Sequence, residues 1–213
     1  QNAPCEAPRD CQGGFVCVRQ HFPWSEIAPA PGEFPWERWD RIVAETVKAG
    51  LQIVAVRDSP PTCAGTPPDP EAFARFARAF ANHYMAQLVY YQVWHNPNLG
   101  DAWGGQADAY GYTELLAQGA EAIRDADPDA RIVLGALAPN VESGPDNFAE
   151  DLFLEQLYVA GAAPYFDVVA AQPYGFDAGP NDRRVDRTVL NFSRPLLIRE
   201  VMRSEEHTSE LQS

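Results

Sequence analysis

Basic charge is scarce in this chain: 16 Lys and Arg stand against 30 Asp and Glu over 213 residues, a formal net charge of −14. Such a surface repels phosphate, so nucleic acid is excluded as an expected partner. Long apolar runs are missing too. No stretch approaches the ~20 residues that cross a bilayer, and no membrane segment is expected. Cysteine occurs only at positions 5, 11, 17 and 63, with no zinc-type spacing and no His at a ligand interval. The sequence holds no G-x-G-x-x-G turn, and Gly104-Gly105 follows a Trp rather than a strand, so no phosphate loop is expected. These absences together predict no cofactor and no metal. A Cys5–Cys11 disulfide is available if the protein is exported, which a secreted or cell-surface location would allow; free thiols are the alternative. Oligomeric state has no signal in the sequence.

What the chain does hold is a hydrophobic content of 46%, enough to bury the core of one domain. Its apolar runs alternate with amphipathic stretches. Phe15-Val16-Cys17-Val18 ends in the polar tip Arg19-Gln20-His21, and a Pro/Gly-rich loop spans Phe22 to Trp36. Helical spacing follows from Glu37 to Ala49 and closes at Gly50. Residues 51–56 form the next run, tipped by Arg57-Asp58. Asp69-Pro70 opens a helix through Tyr84, residues 88–94 read as a strand, and Ala109 to Ala126 read as a helix. A strand at 131–137, a helix from Asn147 to Ala160 and a strand at 166–171 complete the pattern. Five almost wholly apolar strands separated by helices predict an α/β fold with a parallel sheet covered by helices. A closed (β/α)8 barrel needs eight strands, so a partial TIM barrel of about five βα units is expected.

Two terminal segments stand apart. Residues 1–14 read as an N-terminal loop, and the opening at Gln1 shows neither an initiating Met nor a signal-peptide pattern. Residues 203–213 are similar to the translation of a sequencing-adapter oligonucleotide and lack apolar periodicity that would continue the preceding pattern. They are expected to be a foreign tail on a barrel domain of residues 15–202, whose parent protein continues beyond Met202.

The richest stretch is Tyr90-Tyr91-Gln92-Val93-Trp94-His95-Asn96-Pro97-Asn98, a strand that stops at a polar turn, as a barrel strand delivers side chains to an active-site rim. It resembles the W-N-E-P-N signature at the end of strand four in the large clan of (β/α)8 glycoside hydrolases that includes families 39 and 5. The segment from Phe22 through Gly32 to Trp36 resembles the clan's loop after strand two, and Trp39-Asp40-Arg41-Ile42-Val43 resembles the helix that follows it. Phe73 to Tyr84 looks like the helix before strand four, and Gln172-Pro173-Tyr174 is similar to the strand-six tip H-P-Y. The resemblance covers about residues 14–202 and implies barrel strands two to six. It also implies an oligosaccharide or glycoside as ligand and a retaining lineage that hydrolyses O-glycosyl bonds.

The resemblance departs where it matters most. Its acid/base glutamate corresponds to Asn96, which cannot transfer a proton at neutral pH. His95 titrates in the right range, but neighbouring strand residues face opposite ways, so it cannot replace Asn96 unless the strand has already turned. For the second carboxylate the sequence offers Glu200, which helical spacing over Val189, Phe192, Leu196 and Arg199 places on a helix rather than on strand seven. The chain as it stands is therefore expected to be inactive, with a non-catalytic carbohydrate-binding barrel as the alternative. Candidate substrate contacts are Arg19, His21, Asp58, Trp94, Asn98, Trp103, Asn140, Gln172 and Tyr174.

Overall fold

A computed structural model describes residues 16–212 except 31, 66 and 177, with the backbone alone over 206–212. The N-terminal loop, Cys5, Cys11 and Phe15 lie outside the described residues. Four strands, β1 (Cys17–His21), β2 (Gln52–Arg57), β3 (Tyr90–His95) and β4 (Arg131–Ala136), pair in parallel in the order β1-β2-β3-β4. Strands that neighbour in sequence also neighbour in the sheet, with no reversal of order. Right-handed crossovers then place every connecting helix on one face, the arrangement of a barrel wall and not of a doubly wound sheet. The architecture is α/β, a partial (β/α)8 barrel.

The helices form where their ends are capped and one face is apolar. Helix α2 (Glu37–Lys48) buries Trp39 and Val43 and ends where Gly50, at φ 75°, lets the chain reverse. Gly50 N–H donates to Val47 and Leu51 N–H to Thr46, which satisfies carbonyls left over by the helix. Helix α3 (Pro70–Tyr84) starts at Asp69, whose carboxylate accepts from Ala72 N–H at 3.1 Å. Its buried face is Phe73, Phe76, Ala77, Phe80, Ala81 and Tyr84. Helix α5 (Ala109–Ala126) is capped by Asp108 and packs on α3. Gly119 permits that approach, because a Cβ there would sit 2.7 Å from the Phe73 ring.

Several details depart from the sequence reading. The loop from Phe22 to Trp36 contains a short helix, α1 (Trp24–Ile27), stitched to the end of β2 by Trp24 N–H to Asp58 and Ser25 N–H to Ser59. Another short helix, α4 (Gly100–Trp103), follows β3. The Arg19–His21 tip belongs to β1 itself, because its residues pair with Val54 to Val56. Helix α6 (Glu150–Val159) begins three residues later than the spacing suggests. The 166–171 run does not become a fifth regular strand. It lies parallel to β4 through a single bridge, Val133 to Val168. The Asp167 carboxylate takes the Ile132 N–H at 2.7 Å and so occupies a ladder donor. Arg57 does not reach the rim either. Its guanidinium lies under the helices, 5.0 Å from the Tyr91 ring centre and 5.8 Å from that of Phe80, and burial lowers its pKa to about 9.

Helix α7 (Pro195–Gln212) contains Glu200, as its spacing predicts, and its Leu197, Ile198 and Val201 are buried. Its backbone stays helical across the segment set apart as a foreign tail. Helix propagation needs good helix formers such as Glu and Leu, not an apolar face. What fixes its start is Arg194, which is 2% exposed and paired with Glu150 at the head of α6. The same guanidinium donates to the carbonyls of Asn140, Arg187 and Val189. Removing Glu150 leaves the buried guanidinium with Asp151 Oδ1, at 4.0 Å, as its remaining counter-ion and without its bidentate partner. Glu150→Ala is accordingly expected to lower stability by about 3–5 kcal/mol, read as a shifted urea midpoint.

Candidate active site

Side chains of β1, β2 and β3 converge on the inner face of the sheet. Arg19 and Val54 are register partners, as are His21, Val56 and Gln92 across the three strands, so all five point the same way. The two small valines leave room for Arg19 to cross from β1 to β3. Its Nε donates to Gln92 Oε1 at 2.9 Å, its Nη2 lies 2.9 Å from His95 Nδ1, and its Nη1 lies 3.2 Å from His21 Nε2. Gln92 is fully buried and in turn donates to the Trp94 carbonyl at 2.7 Å.

A guanidinium only donates, so it assigns the tautomers of both rings. His95 accepts through Nδ1 and keeps its proton on Nε2. His21 accepts through Nε2, and its Nδ1–H donates to Asp58 Oδ2 at 3.0 Å. The other Asp58 oxygen accepts from Ser59 Oγ. Burial, then the neighbouring Arg19 and His21, lowers the His95 pKa to about 4 against a weaker pull from Asp58. His95 is thus neutral at pH 7 and has no imidazolium proton to give.

The end of β3 settles which way each residue points. Trp94 has φ 70° and Asn96 φ 52°, both left-handed. The turn at Trp94 sends its indole to the helix side, where Nε1–H donates to the Ala102 carbonyl at 3.0 Å and the ring meets Trp103 and Phe73. His95 then lies on the inner face with Arg19. Asn96 accepts at Oδ1 from Gln172 Nε2 at 2.7 Å, and its backbone N–H donates to Ala136. Gln172 also donates to the Ala136 carbonyl at 3.2 Å.

The structure thus brings together Arg19, His21, Asp58, His95, Asn96 and Gln172 from the sequence-derived set. Tyr174 stands beside them, 57% exposed, with its ring edge-on to Phe176. Four others lie elsewhere. Trp94 and Trp103 are each 3% exposed and packed among aromatic rings, with no face left for a sugar. Asn98 is fully buried; its amide bonds to the Ala138 and Phe148 carbonyls and to Ala138 N–H, all at 2.8 Å. Asn140 likewise bonds to Phe148, Ala138 and Glu142. These amides anchor loops because an Asn side chain mimics a peptide group where the backbone has no ladder partner. Gln92 is the contact that sequence reasoning missed, although a lone amide inside an apolar strand was a visible signal. Glu200 sits on α7 near Arg187. Among the described residues, no three His, Cys, Asp or Glu side chains gather as a metal site, and no helix is long and apolar enough to cross a membrane. An apolar hollow of ≈ 470 Å³, lined by Trp24, Phe34, Cys63 and Phe76, lies beside α3 and contains none of the converging polar groups.

Two outcomes follow. Between pH 6.5 and 4 the unfolded chain protonates His95 while the folded chain does not, so acidification costs stability across that window. The urea midpoint of the native chain should therefore fall faster with acidification than that of His95→Gln. Asn98→Ala leaves the Ala138 N–H without its acceptor and the Ala138 and Phe148 carbonyls with Asn140 alone, and is expected to cost about 1–3 kcal/mol, measured by denaturant melts.

No family model and no curated protein matches the sequence. Solved structures do resemble the fold. A family 39 glycoside hydrolase from Bacteroides cellulosilyticus WH2 superposes with a TM-score of 0.57 at 17% identity, over 79% of this chain and 34% of that one. The xylanase XynB from Paenibacillus barcinonensis, solved with a conduramine derivative, gives 0.58 at 13% identity over 81% and 56%. A glucosidase from Croceicoccus marinus gives 0.56 at 16% identity over 73% and 37%. The chain spans about a third to just over half the length of these proteins. The chain thus shares part of the TIM-barrel fold of these proteins.

Proposed function

We propose that this chain is a glycoside-hydrolase-like, sugar-binding barrel whose lineage is of the retaining type and which does not itself hydrolyse glycosides. One observation carries the reading: Asn96 stands at the position of the acid/base carboxyl, and its side-chain oxygen is already engaged by Gln172. Retaining hydrolysis uses two carboxyls about 5–5.5 Å apart, one as acid/base and one as nucleophile. Among the described residues the carboxylate of this cluster is Asp58, held by His21 and Ser59. His95 is neutral and cannot supply the missing proton. Beside that carboxylate the groups are amides, imidazoles and a guanidinium, which recognise hydroxyls but do not cleave acetals. An oligosaccharide or glycoside is the partner that this inventory and the fold support.

The test is an assay of the native sequence and of Asn96→Glu on nitrophenyl glycosides and on unactivated oligosaccharides, with binding followed by calorimetry. General acid catalysis contributes roughly 10²–10⁴-fold, so the native sequence should show no turnover of unactivated sugars. Activated leaving groups need little protonation and would expose any surviving nucleophile. Rapid cleavage of unactivated sugars by the native form would overturn the reading. Sugar binding without turnover in either form is its expected signature, and turnover by the Glu variant alone identifies a decayed hydrolase.

A further inference from the structure

Among the described residues two arginines are buried, and the fold treats them differently. Arg194 bonds both oxygens of Glu150 and the carbonyls of Asn140, Arg187 and Val189. Arg57 is 0% exposed, and its Nε, Nη1 and Nη2 have no hydrogen-bond partner among the described residues. A guanidinium is all donor, with five N–H groups and no acceptor. Buried donors are nearly always bonded, and an unpaired buried charge costs far more than an unpaired buried dipole.

The surroundings do not supply what Arg57 needs. Its side chain lies on the helix side of β2, with Cζ 5.0 Å from the centre of the Tyr91 ring on β3 and 5.8 Å from that of Phe80 on α3. Ring faces attract the charge but offer the N–H groups no acceptor oxygen. The phenols of Tyr91 and Tyr112 act on the cation electrostatically, yet both hydroxyls are engaged elsewhere. Tyr91 donates to Asp127 at 2.9 Å. Tyr112, on α5, donates to the Val93 carbonyl at 2.8 Å and accepts the Gly135 N–H at 2.7 Å. Asp127, itself buried, also accepts from Asp129 N–H at 3.2 Å and makes no bond to Arg57. Burial lowers the Arg57 pKa only to about 9, so the group is a cation at pH 7. At 0% exposure it has no surface left for a further segment of a longer protein to cover.

We propose that Arg57 is an internal anion site, which holds a monovalent inorganic anion of chloride size against its guanidinium between β2, β3, α3 and α5. One negative charge balances one positive charge, and a spherical acceptor takes N–H bonds from any direction. Phosphate and sugar are too large for a layer closed to solvent. A halide is small enough to be enclosed as the chain folds, or to enter when the layer opens locally. The site is separate from the rim and does not depend on the sugar-binding reading.

Urea melts of the full chain at pH 7 test this, with chloride replacing gluconate at constant ionic strength so that screening does not change. A ligand of the folded state raises the folding equilibrium constant by the factor 1 + [anion]/Kd. The midpoint is therefore expected to climb with chloride, and bromide should act in the same way. Arg57→Met keeps a long side chain of similar reach, removes the charge and should abolish the response. If Arg57→Met does not fold, crystals of the unaltered chain grown in bromide decide, through an anomalous peak in contact with the Arg57 guanidinium. Stability that is indifferent to the exchange of chloride for gluconate overturns the proposal and leaves Arg57 to an internal water. An equal response in Arg57→Met, or bromide peaks at the surface alone, overturns it as well.

Discussion

The left-handed turn at the end of β3 is the constraint on which the site depends. Two non-glycine residues, Trp94 and Asn96, hold φ values of 70° and 52° in a region that L-residues enter at a cost of about 1–3 kcal/mol each. The surroundings over-determine that conformation. Trp94 is fixed by its indole bond to Ala102 and by packing on Phe73 and Trp103; Asn96 is fixed by Ala136 on one side and Gln172 on the other. A regular strand would have placed Gln92 and Trp94 on one face and His95 on the other. The turn instead removes a large aromatic from the inner face and brings an imidazole to Arg19.

Arg19 is the second organising element, and it acts by spanning strands. Neighbouring strands lie about 4.8 Å apart, so a side chain that reaches from β1 to β3 bridges roughly 10 Å across β2. It can do so because Val54 and Val56 are short and face the same way. Holding two imidazoles by their lone pairs fixes both tautomers and helps keep His95 neutral.

Outside the rim, the loops are held by buried polar groups rather than by ladders. Asn98 ties the end of β3 to Ala138 and Phe148, and Arg194 ties the stretch before α7 to the head of α6. Each replaces absent backbone partners with a side chain of fixed geometry. Amides and cations near the tips of barrel strands can therefore serve as structure as readily as chemistry. Asn98, Asn140 and Arg57 fall on the structural side; Arg19, Asn96 and Gln172 fall on the side of the site.

The alternation of apolar runs and amphipathic helices was enough to give the parallel sheet, the helices from Glu37, Pro70 and Ala109, and the helical state of Glu200. These are local properties: periodicity, an Asp or Gly at the end, a Pro at the first turn. The missing fifth strand was not legible, because Asp167 competes for a backbone donor that periodicity does not see. The positions of Asn96 and His95 near a rim were legible from one apolar run ending in a polar turn. Whether Trp94, Trp103, Asn98 and Arg57 faced ligand or core was not, since two backbone angles and the reach of neighbouring elements decide it. Sequence by itself determined most of the regular elements and their order. Tertiary structure alone decided which polar groups meet, because those contacts join residues up to 76 positions apart, whose approach is set by strand register and not by any local pattern.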